Sequence, residues 1–421
     1  MIVKLACGAT SVAVDLRGLR VKALAPTAPR SLPALAESVA AALDRPLDTP
    51  ALAELARGRR GATVIVPDAT RQASLPEVLP VVLHRLLGAG IENRRLTVLI
   101  ACGTHPPAPI ERLSDLLGPL PPGVEVIQHD ARQEEELLAV GEVAPGRRIR
   151  LHRRAVECDL LVTLGGVRHH YFAGFGGGPK LVFPGVAGYQ EIQANHALVV
   201  RRTTAGPARD DRCEPGALAG NPVAEEIARA ADLRPPDLAV ALAPGSDGRP
   251  AAVLAGSWRR AHAEAVDLVR NWYEVPRDDG FQLVVASAGG APGDTTLIQA
   301  HKALDAACRF ARQGAEVLFV ADLGGGPGSR EMAPFLADPE PERILARLAE
   351  SWVQYGHTTL RLVEKTAAHR VHLLSRLDAV LSRRLGFLPV EDPDDVIERW
   401  RSRAAPSTVA VMAGQAVYPR R

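Results

Sequence analysis

Ala62-Thr63-Val64-Ile65-Val66 is an unbroken apolar run closed by Pro67, and Asp68-Ala69-Thr70-Arg71 follows at once. A short apolar run with β-branched residues and a proline stop reads as a buried strand. Leu75–Ala89 then spaces its apolar residues as a helix does and stops at Gly90. Leu96–Ala101 (LTVLIA) is a second buried strand, closed by Cys102-Gly103-Thr104-His105-Pro106-Pro107. Strand, helix and strand in this order make a βαβ unit, which places the two strands parallel.

Working outward, the pattern recurs. Leu32–Leu43 and Ala51–Ala56 read as helices, and residues 1–30 as a small strand region. Val124–Gln128, Leu160–Leu164 and Asp237–Ala243 read as strands, Arg201–Gly220 as a polar loop, and Ala261–Trp272 as a helix. Pro276–Gly280 has linker composition. A second α/β pattern follows it: strand Phe281–Ala286, helix Leu297–Gln313, strand Glu316–Val320, helices Pro341–Ser351 and Leu360–Ala368, and strand Thr408–Met412. The expected fold is α/β, with two α/β domains of mainly parallel sheets and the active site in the cleft between them. The expected domains are 1–275, binding a cofactor, and 276–421, closing over the substrate.

The chain has 421 residues, 47% of them apolar, and a net charge of +2. That balance argues against a non-specific nucleic-acid binder, which needs a basic excess. No apolar run approaches the roughly 18 residues of a transmembrane helix, and no secretory signal is expected. Cys7, Cys102, Cys158, Cys213 and Cys308 are odd in number, widely spaced and free of C-x-x-C, which suits reduced cytoplasmic thiols. Only Lys4, Lys22, Lys180, Lys302 and Lys365 among the 50 cationic residues are lysine. Each surviving lysine therefore asks why arginine did not serve.

In parallel sheets functional groups gather at the carboxyl ends of strands. Asp68-Ala69-Thr70-Arg71, Gly103-Thr104-His105 and Gly165-Gly166-Val167-Arg168-His169-His170 all follow strands, so they converge on one rim. His105 suits a proton shuttle. Of the adjacent His169 and His170, only one is expected to face the site. Asp68 and Arg71 are compatible with a turn cap and salt bridge, or with anion binding through a fixed guanidinium. Tyr171-Phe172-Ala173-Gly174-Phe175-Gly176-Gly177-Gly178-Pro179-Lys180 is the densest signal. It is not a nucleotide P-loop, because Pro179 precedes the lysine and Leu181 follows where Ser or Thr would bind Mg²⁺. Its glycines still permit close approach to a phosphate. Lys180, with His196 further on in Asn195-His196, suits a large, partly anionic cofactor better than a bare zinc.

These segments resemble the nickel-pincer-nucleotide-dependent lactate racemases and related 2-hydroxyacid racemases and epimerases. The resemblance rests on Asp68-Ala69-Thr70-Arg71, Gly103-Thr104-His105, His170 with Ala173 through Lys180, Phe183-Pro184-Gly185, Asn195-His196, Gly220-Asn221-Pro222, and a Q-x-x-K pattern at Gln299 and Lys302. It covers most of the chain and is more specific in the first domain. It implies a nickel-bound pyridinium-3,5-bisthiocarboxylic acid mononucleotide held covalently by Lys180, with His196 as nickel ligand. Asp68, Thr70, Gly176, Gly177 and Gly178 would hold the nucleotide, and His105 and His170 would be the paired acid and base. Arg71, Gln299, Lys302 and Trp352 would contact the substrate. The resemblance assigns no role to His169 or His301.

The expected partners are a small 2-hydroxyacid and the proteins that make the cofactor, with no nucleic acid or membrane. Two alternatives remain: a carrier of the nucleotide without turnover, and a nicotinamide-dependent dehydrogenase. The second lacks a G-x-G-x-x-G after a first strand.

Overall fold

A computed structural model describes every residue except Gln72, Asp278, 404–407, Gln415 and Arg421. The linker reading at Pro276–Gly280 therefore falls partly outside the described residues, at Asp278. The chain divides into two compact units: Ala28–Val199 with Asp211–Asn271, and Met1–Thr27 with Val200–Asp210 and Trp272–Arg421.

The first unit is built on a six-stranded sheet in the order Pro250–Gly256, Leu238–Pro244, Leu160–Gly166, Ala62–Pro67, Leu96–Ala101, Glu125–Gln128. All neighbours are parallel except the first pair. Ala62 pairs with Leu96 and Pro67 with Ala101, so Asp68 and Cys102 leave the sheet side by side. Ala62–Pro67 is buried along its whole length, which is why the run lacks polar alternation. Helix Leu75–Gly88 buries Leu75, Val78, Leu79, Val82, Leu83 and Leu86, one stripe at helical spacing. Each such side chain contributes about 1.5–3 kcal/mol when fully buried. The stripe packs into a core with Val64, Val66, Val98 and Ile100 from the sheet.

The second unit carries another six-stranded sheet, Leu388–Pro389, Arg370–Leu374, Ala311–Val320, Phe281–Ser287, Thr408–Met412, Arg20–Ala23, with every pair parallel. Its core joins Leu283, Val285, Leu318, Val320, Val409 and Val411 to Val396, Ile397 and Trp400 of helix Pro393–Arg401. Both sheets bear out the mainly parallel α/β reading.

Two local expectations are corrected. Arg201–Gly220 is not all loop: Val200–Thr203 and Gly206–Arg209 form an antiparallel hairpin. Arg201 and Arg202 are adjacent and exposed, so no alternation of apolar and polar residues marks the strand. Helix Leu297–Cys308 ends before Gln313, which lies in strand Ala311–Val320. Pairing of Ala311 with Phe281 captures residues whose local pattern still reads as helical. Strand Arg20–Ala23 completes the second unit's sheet against Thr408–Met412, a partner nearly the whole chain away.

Candidate active site

Two strand ends in the first unit supply the first pair of functional groups. Asp68 follows Ala62–Pro67, and its Oδ1 accepts from the Thr70 amide at 2.9 Å and the Thr70 hydroxyl at 2.6 Å. Its Oδ2 lies 2.6 Å from His105 Nδ1. Burial pushes the Asp68 carboxyl up, but the His105 hydrogen bond and charge, with Arg71 and Thr70, outweigh it and hold it below its ordinary value. An ionised carboxylate only accepts, so His105 donates to it from Nδ1, which leaves Nε2 as the nitrogen able to exchange protons. The resemblance gave Asp68 and Thr70 to the nucleotide. Their hydrogen bonds add the orientation of His105, which the sequence did not signal.

Lys180 lies in a single 3₁₀ turn, Gly178–Leu181. The Gly103 amide donates to the Gly185 carbonyl at 2.9 Å, tying this segment to the His105 loop. Lys180 Nζ sits 5.6 Å from the centre of the Phe172 ring. Among the described residues the amine makes no ion pair. Burial, and then the Arg71 charge, lower its pKa to about 7. His196 closes helix Tyr189–His196, 5% exposed, its ring 5.1 Å from Phe172 at a steep angle. Neither ring nitrogen has a hydrogen-bond partner among the described residues. Burial, then Lys180 and His105, depress its pKa to about 3, so the imidazole is neutral and its lone pair is available to a metal.

The glycines have packing duties of their own. Gly177 and Gly178 have φ of +74° and +53°. A Cβ on Gly177 would overlap the Gly166 carbonyl, and one on Gly178 would lie 2.6 Å from His262 Cγ. His262 is 7% exposed and belongs to helix Trp258–Tyr273. Sequence spacing gave no hint of it. Gly178→Ala should therefore cost about 1–3 kcal/mol, from overpacking and backbone strain. Urea unfolding measures this, and a stability within a few tenths of the original would show that the turn yields freely.

His169–His170 pairs antiparallel with Gly174–Phe175. The two rings part as expected of adjacent strand residues. His169 lies 4.7 Å from Phe175, whereas His170 lies 5.2 Å from Tyr171 and 4.7 Å from Phe172. His170 Nδ1 accepts from the Ala173 amide at 3.2 Å, which leaves its ring proton on Nε2. Asn221 supports this segment. Its Oδ1 caps helix Pro222–Leu233 through Val223 and Ala224, and its Nδ2 donates to the Phe172 carbonyl at 2.9 Å. Asp68, Thr70, His105, His170, Lys180 and His196 thus gather around Phe172 and one sheet edge. Arg71 is exposed, with its charge felt at both Asp68 and Lys180.

Gln299, Lys302 and Trp352 belong to the second unit. Lys302 Nζ donates to Gln299 Oε1 at 2.8 Å on helix Leu297–Cys308. The intervening His301 turns inward, 3% exposed, its Nδ1 2.7 Å from the Ile298 carbonyl. Trp352 lies 5.5 Å from the His357 ring. On the same helix as Gln299, the buried Asp305 meets Arg361, Arg309 at 2.8 Å and Lys365 at 3.0 Å. Those three cations hold its carboxyl well below the ordinary value against the opposing effect of burial.

No group of three or more His, Cys, Asp or Glu able to hold a metal occurs among the described residues.

Residues 8–206 match the lactate racemase N-terminal domain. The lactate racemase of Lactiplantibacillus plantarum is 29% identical over 311 residues, 73% of this chain and 71% of that one. The lactate racemase of Thermoanaerobacterium thermosaccharolyticum is 26% identical over 312 residues, 73% of this chain and 70% of that one. The solved lactate racemase apoprotein from the latter organism has the same fold, with a TM-score of 0.88 at 23% identity over 99% of both chains. A structural-genomics protein from Thermotoga maritima shares it at a TM-score of 0.66 and 17% identity, over 91% of this chain and 97% of that one. The domain match and the two curated relatives together make the chain similar to the lactate racemases, which are isomerases, across most of its length.

Proposed function

We propose that the chain racemises or epimerises a 2-hydroxyacid, lactate or a close relative, using a nickel-pincer nucleotide and two histidines. One observation carries this reading: an amine (Lys180) and an imidazole (His196), neither with a polar partner among the described residues, flank one ring, beside an oriented Asp68–His105 pair. The donor set fits the group. Lys180 would tether it, His196 would ligate its nickel, and the Gly176 region with Asp68 and Thr70 would border the nucleotide. When bound, the nucleotide supplies a reversible hydride acceptor at substrate C2.

The residues do the rest. His105, with a free lone pair on Nε2, takes the hydroxyl proton as C2 becomes a planar 2-oxoacid. His170 serves the oxygen from the opposite side: to deliver a proton it must first be doubly protonated, with Nδ1 released from the Ala173 amide, so that donation leaves a neutral ring. For the other enantiomer the two exchange roles, and each must come within roughly 2.6–3.2 Å of the oxygen it serves. Arg71, Gln299 and Lys302 would grip carboxylate and hydroxyl, and Trp352 would wall the substrate. A carrier of the nucleotide would need Lys180 and His196 but no oriented His–Asp pair. The five free thiols suit a cytoplasmic setting.

The test is a substrate deuterated at C2, turned over by cofactor-loaded protein and resolved by chiral chromatography. Deuterium should slow the reaction and stay in the product. Exchange of C2 hydrogen with solvent at each turnover would instead mean proton abstraction, and the hydride reading would fall.

A further inference from the structure

Around Lys180 the first unit assembles three groups whose combined chemistry does not depend on a cofactor. The Lys180 amine has no ion pair among the described residues and lies against an aromatic ring. The Arg71 guanidinium also forms no ion pair among them, and its charge reaches both Lys180 and Asp68. His105, aligned by Asp68 at 2.6 Å, offers proton transfer on the same rim. A nucleophilic amine, a carboxylate-binding cation and an acid/base imidazole are what an amine needs to condense with a 2-oxoacid.

We propose that, before any cofactor is attached, Lys180 forms a reversible imine with 2-oxoacids. The amine lone pair attacks the C2 carbonyl carbon, and the carbonyl π electrons move to oxygen. His105 shuttles a proton from nitrogen to oxygen. The hydroxyl then leaves as water, taking the second amine proton through His105, while nitrogen forms a double bond to C2. One amine and one ketone thus become one imine and one water, with no change of oxidation state. Arg71 holds the carboxylate of the 2-oxoacid throughout. With its pKa lowered to about 7, the amine is substantially unprotonated near neutral pH. Lys302 donates to Gln299 and Lys365 pairs with Asp305, so these amines are engaged elsewhere. Bound 2-oxoacid would occupy the amine that the nucleotide needs, so 2-oxoacids would compete with cofactor attachment and hydrolysis would release the site.

The inference does not rest on the racemase reading, and its test uses no cofactor. The cofactor-free full chain is incubated at neutral pH with pyruvate and cyanoborohydride, then digested and mapped by mass spectrometry. A reduced adduct should concentrate on Lys180 and disappear in Lys180→Arg. In Arg71→Ala, labelling by pyruvate should fall about tenfold or more beyond any fall in labelling by acetaldehyde, which has no carboxylate and reports only the change in the amine itself. Retained acetaldehyde labelling also reports that this variant folds. No adduct on Lys180, or labelling spread evenly over the five lysines, would overturn the proposal. Equal loss with both carbonyl compounds would remove Arg71 from it.

Discussion

Lys180→Arg is expected to carry no covalent nucleotide and to lose racemisation almost entirely, by about 10⁶-fold or more, the scale of an enzyme's rate advantage. The substitution keeps the positive charge and most of the side-chain volume, so the fold should survive. It removes the amine, and a delocalised guanidinium is a poor nucleophile. Lys180 occupies a partly buried turn over Phe172, where burial and Arg71 make its neutral form accessible. Arginine there would stay charged. Intact mass of the loaded protein and chiral assay of the product together decide the matter. A variant that still racemises at a substantial fraction of the original rate would end the covalent role.

Asp68→Asn should lower kcat by about 10²–10⁴-fold, the range general acid–base catalysis contributes. Both Asp68 oxygens are engaged, one with Thr70 and one with His105. An amide can donate to His105 Nδ1, which would put the ring proton on Nε2 and remove the lone pair that takes the substrate proton. KM should change far less than kcat, because no substrate contact is lost. Stability supplies a second readout. Asp68 has its folded pKa below the unfolded value, so the pair's stabilisation is present above the ordinary carboxylate range. It is lost as pH falls through the folded value. Urea titrations should therefore show the variant weaker at neutral pH, with the gap closing in acid. Unchanged kcat would mean that His105 is not oriented by Asp68 for proton transfer.

Much of the architecture was legible because burial leaves a local trace. Ala62–Pro67 and Leu96–Ala101 lie in the middle of a covered sheet, so every residue had to be apolar, and their limits could be read almost to the residue. Leu75–Gly88 showed its buried stripe for the same reason. The hairpin Val200–Arg209 left no such trace, because its side chains are polar or only partly buried. Among functional groups, the Asp68, His105 and Lys180 loops stood out by chemistry and position after strands. His262 did not, since a buried histidine carries no spacing signature.

The sequence by itself determined the class of sheet, the edge on which the loops gather, and the identity of the amine and imidazoles that make this family recognisable. Those properties follow from short-range pattern: apolar runs, their terminators, and the residues placed just beyond them. Only the tertiary structure decided that Asp68 faces His105 rather than solvent, and that Lys180 and His196 share one ring. It also decided that His262 fills the space Gly178 leaves open and that Arg20–Ala23 joins the second unit's sheet. Each of these depends on distance between segments far apart in the chain, and on the loss of water around a charged or polar group. Neither is encoded in the neighbours of a residue. The lowered pKa of Lys180 is the clearest case: the same lysine on an exposed loop would be an ordinary ammonium, and its surroundings make it an amine.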